Sequence, residues 1–375
     1  MGRCAVAMSK PLFLYGTLCH APLREAVLGL GHFVREATLP GYRVHRVEGG
    51  DYPVLQPGAG RAVGLLVEGL DAEARARADL FEAGFGYALR DVTVEVEDRG
   101  TFAALSYMPE GKVAPGADWN LAAWAEQWGD IWVVAAQDAL AGVPEASKLA
   151  RRWPMLKQRA ASALRASDAP GHEQRTDFTT ARDVEVIRKR HPYAEYFALE
   201  DHDLRFRRFD GTMSAPVRRA GFIGGDAVSV LPYDPALDAV LVVEQFRAGP
   251  FLRGDPRPWT LEPIAGRIDP GESVEQALRR EAVEEAGLDL GRLHHVADYY
   301  PTPGAVSEFL FSYVAEAQLS GRGGEIGGVD HEDEDIRAHV LPFDRLMTLI
   351  ASGEAGTGPL VLTAFWLAAN RERLR

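Results

Sequence analysis

The segment GRIDPGESVEQALRREAVEEAGL, residues 266–288, constrains this chain more than any other stretch. Gly271 closes a turn ahead of a helix, and Gly287 stands where a C-cap glycine belongs. Between them Glu281, Glu284 and Glu285 fall at i, i+3 and i+4, so three carboxylates project from one helix face. Arg280 lies beside them, a planar guanidinium suited to pairing with and orienting a carboxylate. Like charges this close destabilise a bare helix by roughly a few tenths of a kcal/mol per pair. The cost is accounted for if a hard cation sits among them. Magnesium takes oxygen ligands, keeps some waters and binds through a couple of carboxylates plus substrate phosphates. A solvated acidic helix face would share the E-x-x-E-E pattern.

A chain of 375 residues is long for one domain and comfortable for two. Its formal net charge of -13 argues against a general DNA or RNA binder, because the phosphate backbone would be repelled. A small phosphorylated substrate needs only a local patch of arginine, lysine or metal. Cys4 and Cys19 are too few for a disulfide framework, which suits a reducing cytoplasm. The opening MGRCAVAMSK holds no signal-peptide core, and Val6 stands where a myristoylation pattern needs Ser or Thr. The most apolar helical stretch, Leu121 to Leu140, is broken by Glu126, Asp130 and Asp138, so no membrane span is expected.

The first part of the chain reads as mostly β with a few helices and ends near residue 115. Strand candidates are residues 11–17, 62–68 and 91–97, punctuated by QPGAG and PEGKVAPG. From Asp118 to Ala166 the pattern turns helical, first rich in tryptophan and then basic. Between Ser147 and Ser167 lie Lys148, Arg151, Arg152, Lys157, Arg159 and Arg165 and no acid, which fits a solvated face or a phosphate-docking one. Residues 167–181 look like a linker. The divisions expected are therefore 1–115, a helical linker over 116–181, and 182–375. In the last, strands are predicted at 196–209, 227–232, 239–246 and 297–316, with helices at 274–286 and 360–372. Mixed α/β is the class for that half.

The spacing of residues 266–288 matches the Nudix box, G-x5-E-x7-R-E-U-x-E-E-x-G-U with U apolar, at every fixed position. Further segments resemble the ADP-ribose pyrophosphatase branch of the Nudix hydrolases in its order: VLVVEQFRAGP (240–250), LEPIAGRID (261–269), YPTPGAVSE (300–308) and HEDEDIRAHV (331–340). The resemblance covers roughly residues 195–370. It implies an α/β/α sandwich, Mg2+ or Mn2+, and a homodimer in which the segment 182–222 reaches the partner's substrate site. By the same resemblance, Glu281, Glu285, Glu334 and the carbonyl of Ala265 bind metal, with Glu284 auxiliary. Glu332 is the general base, Arg219 and Arg247 contact the diphosphate and adenosine side, and Glu308 stands near the terminal ribose. The implied substrate is ADP-ribose, cleaved to AMP and ribose 5-phosphate. Another nucleoside diphosphate derivative, such as a nucleotide sugar or NADH, stays open, as does a non-catalytic ADP-ribose sensor. The loop SGRGGEIGGVD (320–330) reads as flexible from its glycines.

Residues 11–114 resemble the gamma-glutamylcyclotransferase-like, or AIG2-like, family through LYGTL (14–18), GYRVHRVEGGDYPVL (41–55) and DLFEAGFGY (79–87). That implies a small β-barrel with helices. Its Tyr15-Gly16-Thr17-Leu18 backbone would form an anion- and amide-binding loop, and Glu82 would fall on the acid/base position. A glutamate among Leu80, Phe81 and Phe85 would have its pKa raised by desolvation, which suits a proton shuttle. A retained binding or assembly module is the other reading of this domain.

Overall fold

A computed structural model of the chain describes residues 10–142, 146–168, 173–194, 197–328 and 334–375. Two compact units divide it, Met1–Asp177 with Arg190–Tyr196 and Phe178–Lys189 with Phe197–Arg375.

In the first unit five strands close a barrel. Leu12–Leu14 pairs antiparallel with Pro53–Glu68 and parallel with Gly100–Pro109. Gly100–Pro109 pairs with Tyr87–Val96, which meets Phe33–Val47 at Thr38↔Glu95. Phe33–Val47 then returns to Pro53–Glu68 and closes the ring. Two of these strands, Phe33–Val47 and Gly100–Pro109, are not among those predicted. Within Phe33–Val47 the register shifts between Pro40 and Tyr42, a bulge at which Gly41 takes φ 79.

Helix Ala72–Ala83 starts at Asp71, whose carboxylate accepts the Ala74 N–H at 2.7 Å. The helical stretch after the barrel comprises Leu121–Trp124, a π turn at Ala125–Gly129, Asp130–Gly142 and Ala146–Ser167. Trp124, Trp132, Leu149, Trp153 and Leu156 from it join the barrel's own core cluster. The basic run is partly consumed inside the unit. Lys157 pairs with Asp51 at 2.6 Å, Arg159 with Asp138 at 3.1 Å, and Arg152 is buried.

The second unit is built on a mixed sheet whose central strand is Ala227–Asp234. That strand runs parallel to Leu310–Glu316 from Ala227↔Leu310 to Tyr233↔Glu316. It meets Ala239–Phe246 only at its end, Tyr233↔Val240, because its first half pairs instead with Ile264–Arg267. Ala239–Phe246 in turn takes Trp259–Glu262 and Ile336–Pro342 as neighbours. The splay places the lead-in to the carboxylate helix within the sheet. Alternation then sorts the two faces. Val228, Val230, Leu241, Val243 and Ala315 pack with helix Val274–Ala286. Leu231, Tyr233, Val240, Val242 and Val314 pack with helices Phe343–Ser352 and Gly358–Leu374. A sheet with helices on both faces is the sandwich expected. Strands Ala198–Phe206 and Val217–Ile223 pair antiparallel within a second, three-stranded sheet.

The helix Val274–Ala286 is closed at both ends by local chemistry. Ser273 and Gln276 make a reciprocal capping box, and Gly287 takes the left-handed conformation at φ 56. Among the described residues, no helix is long and apolar enough to cross a membrane.

Candidate active site

One guanidinium organises the carboxylate face of this helix. Arg280 donates to Glu272 at 3.0 Å through both Nε and Nη2, to Glu281 at 2.7 Å and to Glu284 at 2.8 Å. Its Nη2 also donates to the carbonyl of Arg267 at 2.8 Å, tying the helix to strand Ile264–Arg267. Glu285 points from the helix into the unit, 2% exposed, and its Oε2 accepts the Ala265 N–H at 3.3 Å. Burial pushes the Glu281 carboxyl up to about 7 against the opposing charge of Arg280, and Glu284 and Glu334 add to the rise. Burial lifts Glu285 well above the usual carboxylate range, with the Glu281 charge next in size. Glu334 therefore stands close enough to act on both.

Gly266 is required by contact rather than by backbone freedom. A Cβ there would overlap the Glu281 carboxylate. Gly266→Ala is thus expected to displace Glu281 and lower turnover about a hundredfold, since small misplacements of reacting groups have effects of that size. Its far-UV circular dichroism should stay native. Steady-state kinetics within threefold or so of the wild type would contradict this.

Arg247 is held by a residue that sequence reasoning gave no role. Its Nε and Nη2 donate to the two oxygens of Glu262, each at 2.9 Å, and Thr260 Oγ1 donates to Glu262 at 2.6 Å. Arg247 also feels Glu285 and Glu334. Glu308 is raised by burial, opposed by Arg267 and Arg247, and raised further by Asp226. Arg267 was also missed; its only sequence signal is its place directly after Gly266. Arg219 is exposed on Val217–Ile223, donating to the Arg218 carbonyl at 2.9 Å. Glu332 lies outside the described residues. In the glycine-rich loop before it, residues 320–324 are exposed, whereas Gly327 and Gly328 lie against the helix end. Gly328 N–H donates to the Glu284 carbonyl at 3.1 Å, and a Cβ on Gly327 would overlap the Glu285 carbonyl. Arg322 donates to the Gly287 carbonyl at 2.8 Å. Gly327 and Gly328 permit close approach to the helix end.

In the first unit Tyr15, Gly16, Thr17 and Leu18 line one cavity together with Glu82. Residues 17–19 form a single tight turn, with Cys19 N–H donating to Gly16 at 2.9 Å. Gly16 has no room for a side chain, because a Cβ would overlap Pro53. Burial pushes the Glu82 carboxyl up to about 8. Tyr52, Tyr87, Tyr107 and Trp132 line the same cavity and were not singled out from sequence.

Comparison with known proteins divides the chain similarly. The NUDIX domain model matches residues 225–361, and that of "Gamma-glutamyl cyclotransferase, AIG2-like" matches residues 12–125. An "ADP-ribose pyrophosphatase" of Escherichia coli strain K12 is 37% identical over 193 residues, covering 52% of this chain and 91% of that protein. One from Haemophilus influenzae is 32% identical over 196 residues, with 52% and 90% covered. A "GDP-mannose pyrophosphatase" of Salmonella arizonae is 31% identical over 187 residues, with 50% and 96% covered.

Proposed function

This chain belongs to the Nudix hydrolase family, and we propose that its second unit hydrolyses ADP-ribose to AMP and ribose 5-phosphate with Mg2+, or Mn2+ in its place. The observation that carries this is the carboxylate face gathered by Arg280 beside the buried Glu285. Carboxylates of Glu281, Glu285 and Glu334 with the carbonyl of Ala265 make an all-oxygen donor set, which suits a hard divalent cation. The fit is also electrostatic. Burial and mutual repulsion hold Glu281 and Glu285 towards protonation, and a cation among them reverses that bias. When bound, it supplies positive charge to the diphosphate oxygens and acidifies a water. The chain's own residues do the rest. Arg247, fixed by Glu262, offers a guanidinium to the diphosphate. Glu332 takes a proton from the water whose oxygen bonds to phosphorus as the P–O–P bridge breaks. Glu308 and Arg219 orient the ribose and adenosine ends. Identification of AMP and ribose 5-phosphate as sole products, lost on chelation, tests this reading; release of inorganic phosphate instead would refute the bond assignment.

We propose further that Arg219 acts across a homodimer. Its strand pair carries the exposed Phe206 and Phe222, with Phe197 adjoining it. Light scattering at micromolar concentration should give twice the chain mass. A monomer with full activity would rule the dimer out.

For the first unit we propose a site for γ-glutamyl amines, with Glu82 moving the proton, because Glu82 and the Tyr15–Leu18 loop share one cavity. The ionised form accepts a proton, and burial delays ionisation until about 8. Release of 5-oxoproline from a γ-glutamyl donor should therefore rise with pH through about 8 and then level, and Glu82→Gln should abolish it. A profile flat from about pH 6 to about pH 9 would contradict Glu82 as the base.

A further inference from the structure

We propose that the Glu82 cavity is completed by the helices that follow the barrel, with Trp132 the positioning residue behind Glu82 and Asp51 the residue that holds Trp132. This rests on the reading of that cavity as a γ-glutamyl amine site. The AIG2-like match ends at residue 125, so Trp132, Leu149, Trp153 and Lys157 lie beyond it. They nevertheless pack where Glu82 is held. Glu82 is the penultimate residue of helix Ala72–Ala83, with Phe81 before it and Phe85 just past the helix end. Trp132 stacks on Phe85 with centroids 5.6 Å apart and planes at 19°, and meets Phe81 edge-on at 6.2 Å. Trp153 meets the same two rings edge-on at 5.6 and 5.2 Å. Leu149 closes so tightly on the helix end that a Cβ on Gly84 would stand 2.8 Å from its Cδ2. Rings packed in these geometries resist displacement, so the backbone from Phe81 to Phe85 is clamped from behind.

Asp51 is the latch. Its carboxylate accepts from Trp132 Nε1 at 3.0 Å and Lys157 Nζ at 2.6 Å, and its carbonyl accepts from Trp124 Nε1 at 2.7 Å. The Asp51 and Lys157 side chains are only 12% and 16% exposed, so loss of either charge leaves the other poorly compensated. The next two residues, Tyr52 and Pro53, line the cavity, and Pro53 rests on Gly16 of the Tyr15–Leu18 loop. One carboxylate thereby ties the helices to both halves of the site. No lysine, arginine or histidine among the described residues lines the cavity, so an amine portion carrying a second carboxylate would find no counter-charge there.

The test uses the full chain and γ-glutamyl anilide as donor, with 5-oxoproline binding followed by calorimetry. Trp132→Phe and Asp51→Asn should each lower kcat about tenfold or more while KM changes less, because Glu82 is misplaced rather than the ligand lost. Asp51→Glu, which keeps the charge, should recover most of that loss. Circular dichroism at the assay temperature confirms that each variant is folded. Wild-type kcat in both Trp132→Phe and Asp51→Asn would overturn the clamp alone. A wild-type chain that neither binds 5-oxoproline nor releases it would overturn the γ-glutamyl reading, and the clamp with it.

Discussion

Glu285→Gln is expected to lower ADP-ribose turnover about a thousandfold or more while the protein remains folded. The side chain is 2% exposed and accepts the N–H of Ala265 at 3.3 Å. The amide keeps its shape and removes the charge that a cation would need. A second readout separates this from simple damage. The folded carboxyl is held well above its ordinary range, chiefly by burial. Above the unfolded pKa, the folded state therefore holds a proton that the unfolded chain gives up, and stability falls as pH rises towards the folded value. Glu285→Gln escapes that cost. In chelator at neutral pH its melting temperature should be no lower than that of the wild type. Turnover within tenfold or so of the wild type would remove Glu285 from the metal site.

Glu332→Gln should lower turnover about a hundredfold or more, with Mn2+ affinity by calorimetry changed little. A base acts on the water and not on the ion, so chemistry and metal binding separate. If Mn2+ affinity falls in step with turnover, Glu332 is a ligand and another group is the base. The comparison with Glu285→Gln is internal, since that variant should lose both.

The carboxylate helix was fully legible in the sequence, with the same ends at Val274 and Ala286, because both termini carry their own caps. Adjacency of Arg280 to the glutamates was legible too. Its reach back to Glu272 and the Arg267 carbonyl was not, since that depends on how the turn folds onto the strand. Glu262 was hidden for a similar reason: its pairing with Arg247 follows from the register of Ala239–Phe246 against Trp259–Glu262. In the first unit Glu82 and the Tyr15–Leu18 loop were readable from local motifs. The Asp51–Lys157 pair joins residues 106 positions apart and leaves no local pattern. The basic run around Lys157 consequently looked like a surface feature, although part of it serves the interior.

Central to all of this is Mg2+-dependent cleavage of one class of nucleoside diphosphate, and the most direct measurement is kcat/KM across ADP-ribose, GDP-mannose and NADH, each with Mg2+ and with excess chelator. The expected result is highest kcat/KM for ADP-ribose, with activity abolished by chelator and restored by added Mg2+ or Mn2+. Turnover of GDP-mannose without turnover of ADP-ribose would contradict the substrate assignment, binding of ADP-ribose without any hydrolysis would make the unit a sensor, and activity indifferent to chelation would contradict the mechanism itself.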